Sequence, residues 1–242
     1  MSSRDRVYRE SKRQIVDFAF DEAVADVFPD MIRRSVPGYE TVIPITGMLA
    51  ARHLEHMPDE RRLAYDLGCS LGATTTAVLD QLDERPARVI AVDNAAAMIA
   101  RAVDAIRDPR ARFEVADVTM LEFEPAGVVL MNFVLQFIDP TQRVPLLKRI
   151  RQALEPDGLL IVSEKLRFED PYTQALFERA HLDYKRANGY SELEISQKRS
   201  ALEKVMIVDT EAEHRSRFEA AGFATTNRWF QCLNWVSYLV AP

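Results

Sequence analysis

Asp66-Leu67-Gly68-Cys69-Ser70-Leu71-Gly72 is the part of the chain whose residue types and spacing most directly imply chemistry. It comes after a short apolar run and precedes a helix-forming stretch, which puts its glycines at a strand-to-helix turn. Glycine there bends the backbone tightly and lets a ligand approach with no Cβ in the way. A plain tight turn would share this pattern, so residues further along the chain decide between the two. Asp93 ends the next apolar run, 25 positions after Gly68, where a carboxylate can accept both hydroxyls of a ribose. Asp117 and Asn132 end the third and fourth runs. Polar groups at four successive strand ends converge on the carboxyl edge of a parallel sheet, which is where such sheets bind ligands. The chemistry implied is recognition of a nucleoside. A dinucleotide is disfavoured, and with it an NAD dehydrogenase. Its pyrophosphate calls for glycine at the first, third and sixth positions, and here the third is Ser70 and the sixth Ala73.

The elements that must position these groups alternate between strand and helix. Leu63–Leu67, Arg88–Asp93, Phe113–Asp117, Gly127–Asn132 and Leu159–Ser163 read as strands. Helices over Ala73–Leu82, Ala95–Arg107 and Arg143–Leu154 lie between them. Such alternation means crossover units and a parallel sheet covered on both faces. Ahead of the sheet, Asp17–Arg34 and Thr41 to about His56 read as helices, separated by the turn Pro37-Gly38-Tyr39. After the fifth strand, Pro171–Lys185 and Glu192–Met206 read as two long helices joined at Asn188-Gly189-Tyr190-Ser191. Ser191 and Glu194 have the spacing of a capping box, which marks a helix start. A helix over Arg215–Ala221 and a strand pair, Thr225–Cys232 and Val236–Val240, close the chain. The expectation is one Rossmann-like, doubly wound α/β domain over 1–242. Its seven-stranded sheet is mostly parallel, with an N-terminal helical cap over 17–57 and a helical insertion over 170–207, before the last two strands.

Composition narrows the class. The chain has 242 residues with 31 Lys plus Arg against 37 Asp plus Glu, a net charge of −6, and 48% of its residues are hydrophobic. Such a chain can build a core without staples. Two cysteines exclude a disulfide framework or a four-thiolate zinc site. The net acidity and the absence of a basic run argue against a surface that grips nucleic acid. The charged stretch Met1–Gln14 lacks a signal-peptide core. The apolar run Val128–Ile138 is too short to span a membrane. A soluble, cytoplasmic protein is expected.

A sulfonium nucleoside carries no phosphate and needs only close backbone approach for its amino-acid part. The run from Asp66 to Gly72, Asp93 and Asp117 beyond it, and Leu154-Glu155-Pro156-Asp157-Gly158 resemble class I S-adenosylmethionine-dependent enzymes. A closer resemblance is carried by Phe28-Pro29-Asp30-Met31-Ile32, Ser35-Val36-Pro37-Gly38-Tyr39, Asn132-Phe133-Val134-Leu135-Gln136-Phe137 and the run from Lys185 to Ser200. These segments are similar to the carboxy-S-adenosyl-L-methionine synthase family, and the resemblance extends from about Phe18 to Cys232. Ala95-Ala96 and Val118 depart from the family pattern (Ser-Pro and Ile, respectively) without removing a ligand.

The resemblance implies conversion of S-adenosyl-L-methionine and prephenate to carboxy-S-adenosyl-L-methionine and phenylpyruvate. It also implies a separate tRNA carboxymethyltransferase that uses the product on a wobble uridine. A homodimer is expected on another ground, the apolar surface that the two inserted helices offer for pairing. The family's ligand positions fall on Tyr39, Gly68, Cys69, Ser70, Asp93, Asn94, Asp117, Val118, Asn132 and Arg199. Arg199 is assigned to the carboxylate of the product, which a planar guanidinium can clasp with two hydrogen bonds. The chemistry needs no side-chain base, since hydroxide leaving the donor can take the methyl proton.

Other residues have two readings. Cys69 is a reactive thiol or a small residue at the cofactor. Lys165, Lys185 and Arg186 are surface charges or contacts to an anionic substrate. Trp229 and Trp235 are expected in the core, and the four scattered histidines give no metal site. Two other functions stay open on the residues alone: an ordinary S-adenosylmethionine-dependent methyltransferase, and a non-catalytic nucleoside-binding subunit.

Overall fold

A computed structural model describes residues 4–10, 18–202 and 205–242. Asp17, at the start of the expected first helix and of the cap, lies outside the described residues, as do positions 203 and 204 within the expected second inserted helix.

The sheet has seven strands: β1 (Leu63–Leu67), β2 (Arg88–Asp93), β3 (Ala111–Val115), β4 (Ala126–Asn132), β5 (Leu154–Lys165), β6 (Thr225–Cys232) and β7 (Trp235–Ala241). Their order is β3-β2-β1-β4-β5-β7-β6. The first five strands run parallel, and β7 lies antiparallel between β5 and β6. The chain winds outward from β1 through β2 to β3, then returns to place β4 on the other side of β1. The carboxyl ends of β1 and β4 therefore flank the point at which the winding reverses, and a crevice opens there.

The strands alternate their side chains between two cores, as a pleated strand must. Leu63, Tyr65, Leu67, Val129, Met131, Leu160 and Val162 face one side. They pack under α5 (Pro140–Ala153) and α8 (Glu211–Ala220) through Leu146, Leu147, Ile150 and Phe218. Ala64, Val89, Val128, Leu130 and Ile161 face the other side. They pack under α2 (Tyr39–Glu55) and α3 (Ala73–Leu79) through Ala50, Leu54, Val78 and Leu79. Both faces of the central strands are dry, which is why their sequences read as continuous apolar runs.

α1 (Glu22–Ser35), capped by Asp21, packs on α4 (Ala96–Ala105) through a separate cluster of Val24, Val27, Met31 and Met98. α6 (Pro171–Ala187) and α7 (Glu192–Leu202) form the insertion. The expected capping box opens α7: the Ser191 amide donates to Glu194 Oε2 at 2.8 Å, and the Glu194 amide to Ser191 Oγ at 3.3 Å. Residues 4–10 lie across this insertion. Gln197 Nε2 donates to the carbonyls of Tyr8 and Glu10, and Tyr190 Oη donates to Asp5 Oδ2 at 2.5 Å.

Several boundaries differ from the sequence reading. β3 stops at Val115, so Asp117 lies in the following loop rather than at the strand end. α5 starts at Pro140, because the Asp139 carboxylate caps the Thr141 amide and proline suits a first turn. α8 starts at Glu211, because Thr210 and Glu213 form a reciprocal cap. β5 begins at Leu154 instead of Leu159, since Leu154 pairs with Ala126 across an irregularity between Ala126 and Val128.

Candidate active site

The crevice at the β1/β4 switch point opens into a cavity of about 710 Å³. Its floor is the turn after β1. Gly68 has φ +71°, and a Cβ there would stand 2.4 Å from Val134 Cγ2, so any other residue would strain the turn and have to displace Val134. Ser70 also has positive φ, and its amide donates to Asp93 Oδ2 at 2.8 Å. The other oxygen of Asp93 accepts the Ala95 amide at 2.9 Å, ahead of α4. Asp93 thus fixes the glycine turn against β2 while facing the cavity. Burial raises its pKa, opposed by those two amides.

Asn132, the last residue of β4, is held by Thr74 Oγ1 and Ser163 Oγ, and Ser163 continues to Ser237. Asn94, Asp117 and Val118 line the same wall. Asp117 accepts both the amide and the hydroxyl of Thr119, which closes a tight turn around the exposed carboxylate. Tyr39 opens α2 behind Gly38, and its ring lies 6.3 Å from that of Phe133. Burial and the nearby Asp66 push the Tyr39 phenol up to about 12, so it stays a hydrogen-bond donor.

Cys69 is a buried wall residue rather than a poised nucleophile. Burial, with Asp66 and Asp93 nearby, pushes its thiol far above the ordinary range. Iodoacetamide at about pH 8 should therefore modify the half-buried Cys232 well before Cys69, read by peptide mass spectrometry. Equal labelling of the two would contradict this assignment.

The roof is aromatic. Phe20 meets Phe18, Phe28 and Phe137 edge-on, with ring centroids 5.0, 5.9 and 5.7 Å away. These four half-buried rings give the cavity an apolar edge. The far side of the cavity is basic. Lys165 lies 5.9 Å from the centre of the Trp235 ring, and the His181 ring is also 5.9 Å from it. Lys185 and Lys198 line the same space. Burial lowers all three lysines, Lys185 to about 8 and Lys198 to about 7. His181 Nε2 meets the Ser35 carbonyl at 2.7 Å, and burial among these cations takes the ring down to about 3, so it is neutral.

Nine of the ten residues expected at the site line this one cavity: Tyr39, Gly68, Cys69, Ser70, Asp93, Asn94, Asp117, Val118 and Asn132. Arg199 is exposed and is not among the lining residues, although its charge reaches Lys165 and Lys185. Lys165 and Lys185 face inward, whereas Arg186 pairs outward with Asp183 and Glu192. Trp235, expected as core, is buried but forms part of the cavity wall. His181 and Lys198 line the cavity as well, and sequence reasoning misses both. The i, i+4 spacing of His181 and Lys185 on one helix is the signal that could have found the first. Among the described residues, no cluster of three or more His, Cys, Asp or Glu could hold a metal ion.

The order of the sheet and a glycine-floored cavity at its switch point define a class I S-adenosylmethionine-dependent methyltransferase fold. The family model described as "Methyltransferase domain" matches residues 64–158. Human N-acetylserotonin methyltransferase, solved with S-adenosylmethionine, shares the fold with a TM-score of 0.63 at 15% identity, over 91% of this chain and 55% of that one. Mitomycin 7-O-methyltransferase does so with a TM-score of 0.61 at 18% identity, over 91% and 56%. The chain is 48% identical to the carboxy-S-adenosyl-L-methionine synthase of Pseudomonas aeruginosa (strain UCBPP-PA14), over 100% of both chains. It is 51% identical to that of Pseudomonas putida (strain GB-1), over 98% of both. The chain belongs to the carboxy-S-adenosyl-L-methionine synthase family.

Proposed function

We propose that the protein makes carboxy-S-adenosyl-L-methionine from S-adenosyl-L-methionine, with prephenate as the carboxyl donor. The supporting observation is a single cavity with two different ends. One end has the glycine turn, Asp93, Asn94, Asp117 and Val118, and suits a nucleoside with an amino-acid tail. The other end, with Lys165, Lys185 and Lys198, suits an acid. In the balanced reaction, prephenate loses carbon dioxide and hydroxide to give phenylpyruvate. The hydroxide takes one proton from the sulfonium methyl and leaves as water, and the methyl carbon bonds to the carbon dioxide. The aromatic roof keeps carbon dioxide beside the methyl group before it can escape. A tRNA carboxymethyltransferase then uses the product on a wobble uridine, so this acidic chain need not hold RNA itself. We assign it to the cytoplasm as a homodimer. No helix among the described residues is long and apolar enough to cross a membrane. Exposed Tyr172, Leu176 and Leu193 on the inserted helices support pairing of two copies.

Incubation with both substrates and mass analysis of the nucleoside tests the reaction. A product heavier by one carbon dioxide is expected, whereas demethylated nucleoside alone would identify an ordinary methyltransferase. Arg199 is proposed to clasp the new carboxylate, because a guanidinium offers two parallel donors and an ammonium does not. Arg199→Lys should weaken binding of the carboxylated product roughly tenfold or more while leaving S-adenosylmethionine binding little changed. Equal loss for both ligands would reduce Arg199 to a structural role.

A further inference from the structure

The three lysines at the basic end are not equivalent. Lys198 is buried and already engaged: Nζ donates to Ser35 Oγ at 2.8 Å and stands 3.9 Å from Asp5 Oδ2, at the junction of α1 and α7. Lys185 differs. Among the described residues its ammonium has neither a hydrogen bond nor an ion pair, yet it is largely desolvated and repelled by Lys165 and Arg199. Lys165 is similar. Its ammonium lies towards the face of Trp235, and the opposing charge it feels is that of Glu178 on α6, with Arg199 acting against it. Glu178 is itself bonded to Gln174, at 2.7 Å.

Two partly desolvated ammonium groups that have no ion pair among the described residues carry a cost, and an anion bound between them removes it. Neutral His181 lies among these lysines and adds no charge that would oppose them. Its ring stays fixed between Ser35 and Trp235. Both lysines hang from separate rigid elements, Lys165 at the end of β5 and Lys185 in the last turn of α6. They can therefore hold two anionic groups of one molecule at a fixed separation.

We infer that Lys165 and Lys185 form the binding pair for a small dicarboxylate, with Trp235 as the apolar wall between them, and that Lys198 positions α7 without contacting the ligand. This rests on the proposed reaction, whose donor is a dicarboxylate, and it assigns that donor's binding to particular residues.

The test is steady-state turnover with prephenate varied at saturating S-adenosylmethionine, for the wild type, Lys165→Gln, Lys185→Gln and Lys185→Arg. Calorimetry of S-adenosylmethionine binding and thermal melts accompany each variant. Each glutamine variant should raise the KM for prephenate roughly tenfold or more, with nucleoside affinity unchanged and the melting temperature equal or higher, since an uncompensated charge is removed. Lys185→Arg should recover most of the loss, because it restores the charge. If prephenate KM is unchanged in both glutamine variants, the assignment is overturned. It is also overturned if Lys185→Arg is as impaired as Lys185→Gln, since shape and not charge would then matter. A wild type that forms no carboxylated product would overturn the proposed reaction instead. In that case, binding of prephenate to the nucleoside-loaded protein, compared between wild type and Lys185→Gln, still reads the anion site: equal affinity refutes it.

Discussion

Asp93→Ala is expected to bind S-adenosylmethionine at least a hundredfold more weakly than the wild type. Two contributions act together. A carboxylate accepting both ribose hydroxyls would supply charge-assisted hydrogen bonds of about 1.5–3 kcal/mol each, and a loss of about 2.7 kcal/mol is already a hundredfold. The same carboxylate holds the Ser70 amide at 2.8 Å and the Ala95 amide at 2.9 Å. Its removal therefore releases the turn on which the nucleoside would rest, as well as the ribose contact. Asp93→Asn keeps one acceptor and should fall between the two. Calorimetric titration measures the effect, and an unchanged dissociation constant for Asp93→Ala would show that the ribose is read elsewhere.

The second large effect concerns stability. Arg143 is fully buried, ion-paired with Asp209, and donates to the carbonyls of Ile138 at 2.9 Å and Ile207 at 3.0 Å. Breaking a buried pair by removing one partner costs about 3–5 kcal/mol. Asp209 would keep Arg217, at 2.5 Å, so the lower end of that range applies. Arg143→Met should accordingly lower the melting temperature by roughly 6–12 °C, at 2–4 °C per kcal/mol for a chain of this size. A shift of about 2 °C or less would mean that the carbonyls of Ile138 and Ile207 find other donors.

The sheet is legible in the sequence wherever both faces of a strand are buried. Leu63–Leu67 and Arg88–Asp93 are bounded in the structure as their apolar runs suggest, because Gly68 and Asp93 mark the point where burial ends. Thr225–Cys232 is also legible, from its β-rich composition. The differences have local causes. Asp117 is expected at a strand end, but backbone pairing with β2 stops at Val115 and an aspartate turn takes over. α8 starts four residues before the expected Arg215, because the Thr210–Glu213 cap sets its first turn and the apolar pattern does not.

At the site, the glycine turn and Asp93 can be read from spacing, since each sits at a strand end that the topology brings to one edge. The basic side can be read only in part. Adjacent residues on a helix point about 100° apart, so Lys198 lines the cavity while Arg199 is exposed, and no pattern in the sequence decides which of the two points inward. Arg143 gives no signal at all: an arginine in a polar helix reads as surface until Asp209 is brought to it.

The contact of residues 4–10 with α7 has a consequence for biosynthesis. Asp5 and its partner Tyr190 are separated by 185 positions, so residues 4–10 leave the ribosome long before the insertion they contact. The strands that carry Gly68, Asp93 and Asn132 are translated well before Tyr190, and the parallel arrangement β3-β2-β1-β4 can assemble while the insertion is still being made. Closing so long a loop is slow and yields its contacts late. The nascent chain therefore passes through a stage with its nucleoside platform built and the basic wall on α6 and α7 still missing, and completing the cavity is a late step of maturation.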